Sequence, residues 1–88
     1  EFGRRVEENG SKGTDHGAAA PLFVLGSAIR GGVFGDAPDL TDLEDGDVRF
    51  TTDFRQVYAT LLERWFNVDA RPILASTFEP IPFLPATV

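Results

Sequence analysis

The sequence predicts an α/β chain with one short buried strand and one long amphipathic helix, joined by glycine-rich and acidic loops. Three observations carry that prediction. The stretch "LFVLGSAI" at residues 22–29 is an apolar, partly β-branched run between Pro21 and the Gly31-Gly32 pair. The stretch "TDFRQVYATLLERWFN" at residues 52–67 repeats large apolar side chains with the helical period. Much of the remainder is Gly, Pro, Asn and Asp, which punctuate regular structure rather than extend it.

Taken in order, residues 1–21 read as a polar, glycine-rich loop. Residues 22–29 read as a central strand, because both faces of the run are apolar. Gly26 interrupts it and marks a bulge or a close backbone approach. Residues 31–51 are turns and an acidic loop, where Asp36, Asp39, Asp42, Glu44, Asp45 and Asp47 crowd together as a solvated stretch. Within it, "EDGD" puts Asp45-Gly46 where a hairpin turn fits, with "VRFT" as a brief following strand.

The helix is the clearest element. Phe54, Val57, Tyr58, Leu61, Leu62, Trp65 and Phe66 form one continuous apolar stripe. Asp53 followed three residues later by Gln56 resembles a capping box, with Thr52 as the competing cap. Arg55, Gln56, Glu63 and Arg64 take the other face, the helix ends at Asn67, and Pro72 bars simple continuation. Trp65 and Tyr58 read as packing residues rather than as a ligand-stacking platform. The tail at residues 68–88 ends "FEPIPFLPATV", whose prolines predict an extended segment on a surface or an edge.

Composition narrows the function. Eighty-eight residues suffice for one small domain. A chain of this size buries roughly 60–65% of the surface it exposes when unfolded, so its stability is marginal. Without cysteine there is neither a disulfide framework nor a thiolate metal site. A net charge of -6, with one Lys and seven scattered Arg, speaks against a nucleic-acid partner. No apolar run is long enough for a membrane span, and no export signal is visible. The opening "EFGRRVEENG", in a chain without Met, reads as a piece of a longer protein. As such a piece it is expected to leave a sheet edge and the apolar helix stripe uncovered, favouring poor solubility or oligomerisation.

Two ligand loops fail on register. With Gly46 as the central glycine of a calcium loop, Thr41, Leu43 and Asp45 take positions where acids are needed. In "GSAIRGGV", Gly32 and Val33 stand where a phosphate-binding loop requires Lys and Ser/Thr. The remaining candidate is "GTDHG", which holds the chain's single histidine. A carboxylate and a neutral imidazole are both good ligands for Zn²⁺ or Mn²⁺, and neighbours on a bent backbone can converge on one ion. Spacing alone leaves two readings open: a surface accident, or a metal-ligating turn shaped by Gly13, Thr14 and Gly17.

The ordered segments "EFGRR", "GTDHG", "FVLG" and "TTDFR" closely resemble the C-terminal part of the domain-of-unknown-function family 1501. That family is related to sulfatases within the alkaline-phosphatase-like superfamily, and "DHG" also resembles the metal-ligand motif of cofactor-independent phosphoglycerate mutases. The resemblance implies that residues 1–88 are the C-terminal part of one larger alkaline-phosphatase-like domain, a truncated sheet with flanking helices. It implies a divalent metal (zinc, manganese or calcium) held by Asp15 and His16. Gly13, Thr14 and Gly17 would shape the turn, and Arg4, with Glu1 nearby, would contact a substrate anion. The implied activity is metal-dependent hydrolysis of small-molecule phosphate or sulfate esters. The nucleophile and the remaining ligands would lie in an N-terminal part of the same protein. The alternative is a non-catalytic secreted binding or structural module that keeps the fold. The parent protein is expected in the periplasm or outside the cell.

Overall fold

A computed structural model of the chain describes residues 3–86. Its elements run β1 (Gly3–Arg4), β2 (His16–Gly17), β3 (Leu43–Glu44), β4 (Asp47–Val48), α1 (Phe54–Arg64) and α2 (Arg71–Leu74). Strands and helices occur together, so the fold is α/β in character. The chain divides into two compact units: Glu1–Phe23 with Asp36–Thr51, and Val24–Gly35 with Thr52–Val88.

The first unit contains two antiparallel ribbons. β1 pairs with β2 in the register Gly3↔Gly17 and Arg4↔His16. The amide of Arg5 extends the ladder by donating to the Asp15 carbonyl at 3.0 Å. The loop between them closes on Asn9, whose Oδ1 accepts from the amides of Ser11 and Gly13 at 2.9 and 3.0 Å. Lys12 takes the left-handed conformation there, with φ 63°. Residues 1–21 are therefore not simply loop; their described ends pair. Glycine permits this at position 3, where an added Cβ would overlap the Ala19 carbonyl.

β3 and β4 form the hairpin that "EDGD" predicts, with Leu43↔Val48 and Glu44↔Asp47 opposed. Asp45 and Gly46 have φ 50° and 79°, the positive pair that a type I′ turn needs and whose twist matches the strands. The second strand starts at Asp47 and stops at Val48, short of the full "VRFT". Earlier in the acidic stretch, Asp39 Oδ1 accepts from both the amide and the hydroxyl of Thr41, at 2.9 and 2.6 Å.

The expected central strand at 22–29 does not form. Residues 22–26 lack regular structure, Phe23 and Leu25 are 83% and 92% exposed, and the Ile29 amide turns back to the Gly26 carbonyl at 3.2 Å. Apolar side chains make a segment suitable for a sheet, but a strand exists only when a neighbour supplies the ladder. No described segment does so, and the boundary between the two units cuts the run after Phe23.

The second unit is built on α1. Its capping box is complete: Asp53 Oδ1 accepts from the Arg55 amide at 2.9 Å, and Gln56 Oε1 accepts from the Asp53 amide at 3.1 Å. The helix closes at the cap residue Trp65, before the expected Asn67, and Asn67 itself is left-handed at φ 57°. A short α2 follows, within the stretch 68–88 expected to be an extended tail. Pro72 opens its first turn, where a missing amide costs nothing.

The stripe of α1 is largely uncovered, as expected of these residues taken alone, and Trp65 and Tyr58 are not the packing residues that the stripe suggests. Phe54, Tyr58, Trp65 and Phe66 are exposed, Tyr58 at 49% and Trp65 at 56%, while Ala59 and Thr60 are fully buried. By helical period, Gln56, Ala59, Thr60 and Glu63 lie on the side away from the stripe. The proline-rich tail packs against that side instead of running along an edge, with Phe83 and Leu84 buried. Small side chains let its backbone approach: Thr60 Oγ1 accepts from the Ile81 amide at 2.8 Å. Gln56 Nε2 donates to the Glu79 carbonyl at 3.1 Å, and Arg64 Nη1 to the Leu84 carbonyl at 3.0 Å. Val57, Leu61 and Leu62 of the stripe are half-buried, and Phe54 and Tyr58 form an edge-to-face pair at 5.4 Å between centroids.

Candidate functional site

Asp15 and His16 lie at the entry to β2, in the first unit. Both are exposed at the surface. Asp15 Oδ1 accepts from Asn9 Nδ2 at 3.1 Å, and its carbonyl accepts the Arg5 amide, so side chain and backbone are both held. His16 opens the strand directly opposite Arg4. Successive side chains of a pleated strand leave from opposite faces. Because the Arg5 amide carries the ladder on to Asp15, the two side chains start from opposite faces of the ribbon, and a shared ion would have to be reached around its edge.

Arg4 shares a face with His16 as its cross-strand partner. Its guanidinium donates from Nη1 to the Thr14 carbonyl at 2.8 Å, which fastens the ribbon immediately before Asp15. Glu1, expected beside Arg4, lies outside the described residues. The left-handed residue of the turn is Lys12, not Gly13, and a Cβ at Gly13 would meet only Asn9 Oδ1, at 3.9 Å. Gly17 is different. A Cβ there would stand 2.8 Å from the Arg4 carbonyl carbon and 2.8 Å from Asp47 Oδ1, closer than side chains pack.

Asp47 therefore enters the site from the second hairpin. Its side chain is 16% exposed, against 67% and 69% for Asp42 and Glu44. Its Oδ2 accepts the Ala18 amide at 2.9 Å and faces Arg5 Nη1 at 3.9 Å, while its Oδ1 is buried with no hydrogen-bond partner. Arg5 also donates to the Asp45 carbonyl at the hairpin turn. The acidic stretch is thus not uniformly solvated. Asp42 and Glu44 pair with Arg49 at 3.3 and 3.6 Å on the surface, and Asp47 turns inward.

Sequence reasoning passed over Asp47, Arg5 and Asn9. A signal was present: the hairpin register opposes Glu44 to Asp47, and like charges placed opposite one another are unfavourable without cations nearby. A cavity of about 250 Å³ adjoins this corner, lined by Arg5, Ala18, Asp47 and Phe50 among others.

The donors present suit a hard or borderline divalent ion, since carboxylate oxygen and imidazole nitrogen are its ordinary ligands. The buried Oδ1 of Asp47 lies 2.8 Å from where a Gly17 Cβ would stand, so the turn after His16 has no room for a side chain at that position. Among the described residues, no three His, Cys, Asp or Glu side chains gather closely enough to enclose an ion by themselves. The pair would hold one side of a metal, with further donors coming from elsewhere.

An α/β chain with a glycine-flanked Asp-His pair on an anchored ribbon is the class that fold and site define. The chain belongs to the family described as protein of unknown function (DUF1501), whose model matches residues 1–77. That match covers both ribbons and both helices. No curated protein and no solved structure matches the chain. No helix among the described residues is long and apolar enough to cross a membrane.

Proposed function

We propose that the chain carries part of the metal site of a sulfatase-related, alkaline-phosphatase-like hydrolase of phosphate or sulfate esters, with Asp15 and His16 as ligands. The observation that carries the reading is the anchoring of these neighbours. Asn9 holds the Asp15 carboxylate, Arg4 holds the Thr14 carbonyl, and Asp47 holds the Ala18 amide, so the segment is fixed on both sides. Ligand segments fixed in this way suit metal binding, because a preset geometry spares the ion the ordering of its donors.

A bound divalent ion would polarise the ester and stabilise charge on its oxygens. The role of this chain is narrower. Asp15 contributes a carboxylate and His16 a neutral imidazole nitrogen. Arg4, on the face of His16, supplies positive charge toward an anionic ester, although one of its donors is already committed to Thr14. The nucleophile and the remaining ligands are assigned to another part of the same polypeptide, in the periplasm or outside the cell.

The test uses the complete protein. Zinc, manganese and calcium are quantified by elemental analysis after purification, for the parent and for Asp15→Ala and His16→Ala. The reading expects metal lost in both variants with the circular dichroism spectrum kept. Parental metal content in both variants refutes it. A metal-free, fully folded parent that also takes up none of the three ions favours the alternative, a non-catalytic secreted binding or structural module.

A further inference from the structure

Asp47 lies thirty-one positions beyond His16 in sequence, yet it meets the turn that follows His16. We infer that Asp47 is a positioning residue for the Asp15-His16 segment, setting the direction in which His16 leaves the ribbon. The inference rests on the metal-binding reading of Asp15 and His16.

Three observations converge on it. The Ala18 amide, two residues after His16, donates to Asp47 Oδ2 at 2.9 Å, at the point where the chain bends away from β2. Gly17 between them has no room for a side chain, because Asp47 Oδ1 and the Arg4 backbone occupy the Cβ position at 2.8 Å. The same Oδ1 is buried without a partner. An orphaned carboxylate oxygen is costly, and such an arrangement persists only where surrounding structure enforces it. Arg5 supplies that enforcement. It pairs with Asp47 Oδ2 through Nη1, bonds the Asp45 carbonyl through Nη2, and ties its own amide to the Asp15 carbonyl. Asp47 thereby ties the Ala18 amide to the β3–β4 hairpin, and Arg5, with its guanidinium on the hairpin and its amide on the Asp15 carbonyl, ties Asp15 to it as well.

Groups that orient a metal ligand through one intervening contact typically change affinity by roughly 10–100-fold when removed. In the complete protein, Asp47→Ala is therefore expected to weaken Zn²⁺ binding by about that factor and to shift the visible spectrum of the Co²⁺-substituted protein. Asp47→Asn keeps an oxygen for the Ala18 amide and is expected to restore both to near the parental values. Should Asp47→Ala not fold, Asp47→Ser, too short to reach the Ala18 amide, takes its place.

Parental Zn²⁺ affinity and Co²⁺ spectrum in folded Asp47→Ala would overturn the inference. So would a loss in Asp47→Asn as large as in Asp47→Ala, or a loss no greater than the unfolded fraction seen by circular dichroism. Asp15→Ala and His16→Ala run alongside. If they lose Zn²⁺ while Asp47→Ala does not, only the positioning role fails. If they bind Zn²⁺ like the parent, the metal reading fails and takes this role with it.

Discussion

Replacing Thr60 with Val tests the packing of the second unit at the one fully buried polar side chain among its described residues. Valine reproduces the β-branched shape of threonine, so the change opens no cavity and removes only the hydroxyl. In the parent, Thr60 Oγ1 donates to the Gln56 carbonyl at 2.7 Å and accepts from the Ile81 amide at 2.8 Å. The first bond is nearly dispensable, since the Gln56 carbonyl also receives the helical bond from the Thr60 amide. The second is not. Ile81 is only partly exposed, and an amide left without a partner in such a place costs about 1–3 kcal/mol. The added methyl, buried at a site with 0% exposure, offsets up to ~0.8 kcal/mol. The expected net loss is about 1–2 kcal/mol, which lowers Tm by roughly 4–15 °C for a chain of this size. Thr60→Ser is the control: it keeps the hydroxyl and loses a methyl, at a cost of roughly 0.5–1.5 kcal/mol. Thermal denaturation gives the magnitudes, and hydrogen exchange separates the causes. Protection of the Ile81 amide should survive in Thr60→Ser and fall in Thr60→Val. A valine variant that melts with the parent while the Ile81 amide stays protected would refute the account of the tail as hydrogen-bonded to α1.

Two further outcomes are expected. The bidentate contact of Arg55 with Asp53, at 2.9 and 2.6 Å, lowers the carboxyl from its ordinary 3.8 to about 2, the Arg55 side-chain bond first and its amide second. A depressed carboxylate pKa stabilises the fold fully above the unfolded value and loses that contribution as pH falls toward the folded one. Helicity followed by circular dichroism should therefore decline between about pH 4 and 2, and Asp53→Asn should flatten that part of the profile. Trp65, half exposed on the outward stripe, should emit near the wavelength of free tryptophan and be quenched by iodide. A blue-shifted, iodide-resistant emission at low protein concentration would show that the stripe is covered.

The features that could be read from sequence are those whose partners lie within a few residues. Asp53 and Gln56 cap a helix one turn away, and Asp45-Gly46 forms a turn because its own dihedral preferences suit one. The failures have the opposite character. Residues 22–29 have the composition of a strand, but strand formation needs a second segment at hydrogen-bonding distance, and composition cannot supply it. The stripe of α1 marked an apolar face correctly, and its exposure was expected of these residues alone, but nothing in it indicated which other face is buried. Burial followed backbone access, and the small Ala59 and Thr60 admitted the tail where Phe54, Tyr58 and Trp65 could not. At the site, the pair Asp15-His16 was visible as a motif, whereas Asp47 was hidden in an acidic run whose members look alike in one dimension.

The sequence by itself determined membership of the family, the helix with its cap, the hairpin turn and the one place where an imidazole adjoins a carboxylate. All of these rest on local dihedral preference, helical periodicity or ordered motifs. Only the tertiary structure decided which acid turns inward, why Gly17 must lack a side chain, and which face of α1 is covered. Those outcomes depend on contacts between residues far apart in the chain, from Arg4 and Gly17 to Arg5 and Asp47, where packing distance rather than residue type chooses among equivalent side chains.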